Sequence, residues 1–274
     1  MKHLIFNNFK NLNNLKFKIG KNNFISKHAV IHDNVTIGNN NKIHEGVIIY
    51  PNTIIGDNNN IFPRNVLGEF PVTSDDKYNN YKYKTKGLII GNNNLFHVNN
   101  IIFSGIDNNT FIGNNNKFLA EIHIGHDVQI FDNVTFYARS IAAGYSIYLN
   151  YSNIGMFASI NQKIVVGQYS MIGANNTITK HVFPYYININ NKIHRLNEKK
   201  IPNNVKLYDN VLKEINMNLI NKDLNLSKYN IPKDINNTLL EYTKYLDKGS
   251  LKISKKDTFE WGDNGECYID KIEK

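Results

Sequence analysis

One cysteine, Cys267, stands among 274 residues. No disulfide can form within the chain, and a reducing compartment is favoured. No apolar run approaches the roughly 18 residues a membrane-spanning helix needs, so no membrane span is expected. The first residues, MKHLIFNNFKN, lack the apolar centre of a signal peptide. A cytoplasmic protein is the expectation, and matches to N-x-S/T read as turns rather than glycan sites. Acidic residues are the minority: 23 Asp and Glu against 32 Lys and Arg leave a formal charge of +9. The lysines are dispersed, and neither helix-turn-helix nor zinc-finger spacing occurs, so no nucleic-acid partner is expected. The excess reads as a solvated basic surface, or as a local site for an anion such as a nucleotide diphosphate or coenzyme A.

What the chain has in abundance is a period of six. One apolar residue recurs every sixth position from Ile19 through Ile25, Ile31, Ile37, Ile43, Ile49, Ile55 and Ile61 to Leu67. A short run follows at Ile90, Phe96 and Ile102, and a long one from Ile112 through Phe118, Ile124, Ile130 and Phe136 to Ile178. A helix repeats every 3.6 residues and a strand every two, so neither alone demands six. A coil of three short faces does, with one large side chain per face pointing inward. This is the hexapeptide form of the parallel β-helix, here mainly β with about eight coils; coils of this repeat family are left-handed, which the period itself does not show. Glycine often follows the inward residue, as in Ile37-Gly38 and Ile55-Gly56, and asparagine runs such as Asn39-Asn40-Asn41 come next. Both residue types tolerate φ > 0, which corners require.

The phase breaks at residues 68–87 and again at 104–110, and both segments are expected to leave the coil as loops where binding residues collect. The expected division is a β-helix domain over residues 1–186 and a C-terminal helical region and tail over 187–274. Residues 205–219 and 236–246 carry amphipathic helical patterns, with Pro232 and Gly249 as breakers beside the second. The tail after 252 reads either as a short strand pair or as an unstructured segment.

The chain has nine histidines, and the segment Glu121-Ile-His-Ile-Gly-His-Asp127 is the informative one. Ile124 points inward by phase, so His123, His126 and Asp127 can project outward together. Two histidines beside a carboxylate read as a catalytic base or as ordinary surface residues. His-x2-His without a third ligand nearby is a poor zinc site, so no metal is expected.

The segments HIGHDV, AAGYS, INQ and FPYYI resemble, in order and spacing, the acyl-carrier-protein–UDP-N-acetylglucosamine acyltransferase family. They are also similar to the related N-acyltransferases that act on nucleotide-linked amino sugars. The resemblance spans about residues 19 to 200. It implies that His126 is the general base, that Asp127 is the carboxylate supporting it, and that the Gly144 N–H stabilises an oxyanion. It places His123 in the site wall and makes Asp75 and Lys77 of the first loop contacts for sugar and phosphate. Gln162 and Asn191 match substrate-contacting positions, and Tyr145 and Asn161 stand where the lipid A enzymes have histidine. The resemblance further implies homotrimers with sites between neighbouring coils, substrates in the form of a nucleotide sugar and an acyl thioester, and no tightly bound cofactor.

The paired arginines expected after the coil are absent, with only Lys199-Lys200 nearby. Together with Tyr145 and Asn161, this points to N-acylation of a nucleotide-linked amino sugar, with acyl-CoA, acetyl-CoA above all, as co-substrate. The alternative is O-acylation of UDP-N-acetylglucosamine from an acyl carrier protein. From other classes, a γ-type carbonic anhydrase would need His97, His123 and His126 as ligands shared between subunits, and a non-catalytic scaffold would need none of these residues.

Overall fold

Each hexad closes as a strand of two to four residues followed by a corner, and three hexads return the chain to the same face. The computed structural model describes residues 18–72, 85–220 and 225–249, and the paired strands Glu260–Trp261 and Cys267–Tyr268. The strands form three sheets of 8, 10 and 8 strands, parallel throughout except for the last strand of the ten. Register is set by the hexads themselves: Ile19 pairs Ile37, Ile25 pairs Ile43 and Ile31 pairs Ile49. One inward side chain per strand therefore stacks on its equivalent a full rung away. From Ile37 to Ile178 these side chains form one continuous core, while Ile19, Ile25 and Ile31 of the first rung are only partly buried. Aromatic residues stack within it, Phe96 on Phe118 with centroids 4.7 Å apart and Phe118 on Phe136 at 5.5 Å. The expected β-helix with a small helical C-terminal region is the observed fold.

The asparagine triplets have three separate tasks, which explains why they recur as triplets. In Asn39-Asn40-Asn41, the Asn39 side chain accepts the Lys21 N–H of the rung before (2.8 Å). Asn40 takes the left-handed conformation, φ 57°. Asn41 turns inward, and its Oδ1 accepts the Asn59 N–H at 2.8 Å. The same inward step repeats from Asn59 to Asn94, from Asn94 to Asn116 and from Asn116 to the Val134 N–H. A buried amide ladder thus satisfies corner N–H groups that the sheets leave unpaired.

The glycines that follow the inward residues depart from expectation. They were expected to supply φ > 0, yet the positive-φ glycines are Gly46, Gly68 and Gly87, and asparagine is the commonest residue at the left-handed positions. The Ile-Gly glycines serve close stacking instead: a Cβ on Gly38 would lie 2.6 Å from the Gly56 carbonyl oxygen.

Of the first phase break, residues 73–84 lie outside the described residues; the second, at 104–110, does not stand away from the coil. Ser104 and Ile106 are buried. Gly105 bridges Gly87, its N–H donating to the Gly87 carbonyl at 3.0 Å, so the ends of the two excursions are joined. At the far end, Tyr186–Ile189 adds one more parallel strand beside Met171–Ile172, and Lys192–Leu196 folds back antiparallel as a cap. The expected boundary at 186/187 falls in that strand. Beyond the cap lie α1 (Asp209–Ile220) and α2 (Lys233–Gly249), where the periodic pattern placed helices. They bury Leu212, Ile215, Ile235, Leu239 and Tyr242 against Phe183, Tyr185 and Tyr186 of the coil's last turn.

Candidate active site

His123–Ile124, Ile141–Ala142 and Ser159–Ile160 are successive rungs of one sheet. The corner after this sheet therefore stacks His126, Gly144 and Gln162, with Asp127, Tyr145 and Lys163 beside them. The backbone ladder confirms the alignment: Tyr145 N–H donates to the His126 carbonyl at 3.0 Å, and Lys163 N–H to that of Gly144 at 3.1 Å. A strict period of six is what brings residues far apart in sequence into this column.

His126 is largely covered, and Asp127 is almost fully buried, with 1% of its side chain exposed. The His126 Nδ1 hydrogen-bonds Asp127 Oδ2 at 2.9 Å. Against a carboxylate acceptor Nδ1 carries the proton, so in the neutral ring the lone pair lies on Nε2. Asp127 also accepts the backbone N–H groups of Ile106 (2.7 Å), Asp107 (2.9 Å) and Asn108 (2.6 Å). Burial alone would raise its pKa; the His126 hydrogen bond and these three N–H groups outweigh burial and hold it below the usual carboxylate range. Its own N–H donates to the Thr110 hydroxyl at 2.9 Å. One carboxylate thus orients the imidazole and clamps the second excursion to the coil.

Two glycines keep space open around the His126 imidazole. A Cβ on Gly144 would lie 2.8 Å from both Nε2 and Cε1 of His126. A Cβ on Gly125 would lie 2.8 Å from the Gly144 nitrogen. The Gly144 N–H donates to no described residue. The imidazole and the available N–H therefore border the same small space.

Tyr145 stands edge-on to the imidazole, with planes at 90° and centroids 5.0 Å apart. Its hydroxyl donates to Asp107 Oδ2 at 2.6 Å. Asp107 was not singled out by the sequence, because 38 residues separate it from Tyr145 and no motif links them.

The other expected site residues are distributed along the coil. His123 projects outward on its strand, against the Phe103 ring at 5.0 Å, and partial desolvation there lowers its pKa. Asn161 and Gln162 are exposed one rung beyond Gly144, with the Asn161 side chain accepting the Gln162 N–H. Asn191 caps the coil: its Oδ1 accepts N–H groups from Thr179 (2.7 Å) and Lys180 (3.2 Å), three rungs along from His126. Asp75 and Lys77 lie outside the described residues. His97 follows a strand of a different sheet and stacks on Phe62 at 5.1 Å. Among the described residues, no group of three His, Cys, Asp or Glu side chains could hold a metal ion, and no helix is long and apolar enough to cross a membrane.

Residues 18–50 match the family described as bacterial transferase hexapeptide (six repeats). The acyl-[acyl-carrier-protein]–UDP-N-acetylglucosamine O-acyltransferase of Nautilia profundicola is 36% identical over 130 residues, which are 46% of this chain and 48% of that protein. The chain spans about half the length of the curated relatives it matches. Among solved structures, the UDP-N-acetylglucosamine acyltransferase from Campylobacter jejuni is 26% identical over 73% of this chain and 80% of its own, with a TM-score of 0.66. LpxA from Bacteroides fragilis, also a UDP-N-acetylglucosamine acyltransferase, is 26% identical over 86% and 87%, with a TM-score of 0.64. The resemblance to LpxA-like hexapeptide-repeat acyltransferases is thus borne out. These relatives are named for UDP-N-acetylglucosamine, and the curated one for O-acyl transfer from a carrier protein. They favour that alternative over the expected amino-sugar acceptor and acyl-CoA donor.

Proposed function

We propose that this chain is an acyltransferase that moves an acyl group from an acyl-carrier-protein thioester to a hydroxyl of UDP-N-acetylglucosamine, with His126 as the general base. The observation that carries the reading is the His126–Asp127 pair, with its free Nε2 facing the space that Gly144 leaves open. The relatives' activities supply the substrate class.

In this mechanism Nε2 accepts the proton of the acceptor hydroxyl as its oxygen bonds to the thioester carbonyl carbon. The imidazolium that forms is stabilised by the Asp127 carboxylate. Negative charge develops on the carbonyl oxygen, where the Gly144 N–H donates to it. The C–S bond then breaks, and Nε2 returns its proton to the departing thiolate. Asp75 and Lys77 supply contacts to sugar and phosphate, and His123, Asn161, Gln162 and Asn191 contribute further substrate contacts.

Sites shared between three copies of the chain complete the proposal. Ile101 and Ile141 flank His123 on the outer face of its sheet, and 40% and 42% of their surfaces are exposed. Light scattering at micromolar concentration should give a trimer; a monomer mass would overturn the shared site.

A second reading retains an amine acceptor and acyl-CoA, favoured by Tyr145 and Asn161 at two positions where histidine is the family residue. One experiment separates the two. The protein is incubated with acyl-carrier-protein thioesters and UDP-N-acetylglucosamine, and in parallel with acetyl-CoA and nucleotide-linked 3- and 4-amino sugars. Mass spectrometry should show one acyl group gained on UDP-N-acetylglucosamine, and His126→Ala should lower turnover by about 10² to 10⁴. Acylation of an amino sugar alone would overturn the first reading in favour of the second.

A further inference from the structure

We propose that Asp107 is a positioning residue for the base, acting on His126 through Tyr145; the inference rests on the reading of His126 as the base. Four residues close a ring. His126 Nδ1 bonds Asp127 Oδ2 at 2.9 Å. Asp127 Oδ1 accepts the Asp107 N–H at 2.9 Å. Asp107 Oδ2 accepts the Tyr145 hydroxyl at 2.6 Å. The Tyr145 ring meets the imidazole edge-on at 5.0 Å.

The physical need for the ring follows from what one hydrogen bond leaves free. The bond at Nδ1 selects the tautomer, but an imidazole held at one point can still pivot about it. Catalytic geometry tolerates only about 10–20° of such motion. A second contact at another part of the ring removes the pivot, and Tyr145 makes that contact. Tyr145 is itself only half-buried, and its hydroxyl bond to Asp107 anchors the ring. A short hydrogen bond to a carboxylate is a strong one. Asp107 in turn cannot drift, because its backbone is clamped by Asp127, the residue that orients His126. The second excursion thus places a carboxylate that braces the base through Tyr145, by a contact separate from the Asp127 bond.

The test uses Asp107→Ala, Tyr145→Phe, the double variant and Asp107→Asn. The clamp on the excursion is made by backbone N–H groups, so the Asp107 side chain can change without releasing it. Asp107→Ala and Tyr145→Phe should each lower kcat about tenfold through misplacement of the base, with KM within roughly twofold. The double variant should be no worse than either single, because both remove one connection. Asp107→Asn, whose side-chain oxygen can still accept the hydroxyl, should recover most of the rate.

A readout without substrate separates this proposal from the choice of substrate. Diethyl pyrocarbonate modifies accessible unprotonated imidazole, and peptide mass spectrometry locates the adduct. Loss of the Tyr145–Asp107 hydrogen bond should raise the modification rate of His126 several-fold in Asp107→Ala and Tyr145→Phe, with His123 unchanged. Wild-type labelling in both single variants would overturn the positioning role, as would rate losses that multiply in the double variant. If the wild-type protein transfers nothing to UDP-N-acetylglucosamine, the substrate reading fails, while the labelling comparison still decides the role of Asp107.

Discussion

The His126 imidazole lies so close to Gly144 that a single added carbon would meet it, 2.8 Å from Nε2. Gly144 is not at positive φ, so alanine is tolerated by the backbone there. The clash is with the ring alone. Gly144→Ala should therefore leave the fold intact and displace the imidazole, the proposed base. We expect a loss of kcat/KM of about 100-fold, as for a base misplaced by roughly an ångström. Steady-state rates beside a thermal melt check this, and near-wild-type turnover would show that the close approach is dispensable.

Asn59 tests the buried amide ladder. Its Oδ1 accepts the Asn94 N–H at 2.9 Å and its Nδ2 donates to the Gly91 carbonyl at 3.0 Å. Asn59→Ala leaves the buried Asn94 N–H without this partner, at about 1–3 kcal/mol for a buried group left unsatisfied, and removes the donor to the part-buried Gly91 carbonyl. Chemical denaturation should show the loss, with turnover per folded molecule unchanged. An unaltered midpoint would mean that water replaces the amide.

His181 should make the last turn of the coil pH-sensitive. Its Nδ1 accepts the Val165 N–H at 3.0 Å, which requires that nitrogen to be unprotonated. Burial lowers its pKa below 6.5. The unfolded chain then takes up the proton first as pH falls, so stability rises with pH in this window. The contribution is complete above about pH 6.5 and is lost as pH falls from there through the folded value. Melting temperatures at pH 8 and pH 5.5 should differ more for the wild type than for His181→Asn. Equal differences would remove His181 from the account.

The fold was legible in the sequence because a hexad has one inward position and few ways to satisfy it. Ile43, Ile61, Phe96 and Phe118 are fully buried and stacked in the order in which they are read. The two C-terminal helices were legible for the same reason, since an apolar stripe at helical spacing must be covered. His126 and Asp127 were legible because neighbours in a corner meet without help from the rest of the chain. The glycines of the Ile-Gly steps were read by conformational freedom, and steric crowding between rungs proved to be what they relieve.

Periodicity by itself determined which side chains point inward, how many residues make a turn and where the regular coil is interrupted. Those are local properties, repeated until they add up to a shape. The partner of Tyr145 and the three N–H groups held by Asp127 were decided only by the tertiary structure. They depend on the path of an irregular excursion whose residues carry no period. Where such a loop settles is governed by contacts between segments distant in sequence, and no local pattern encodes them.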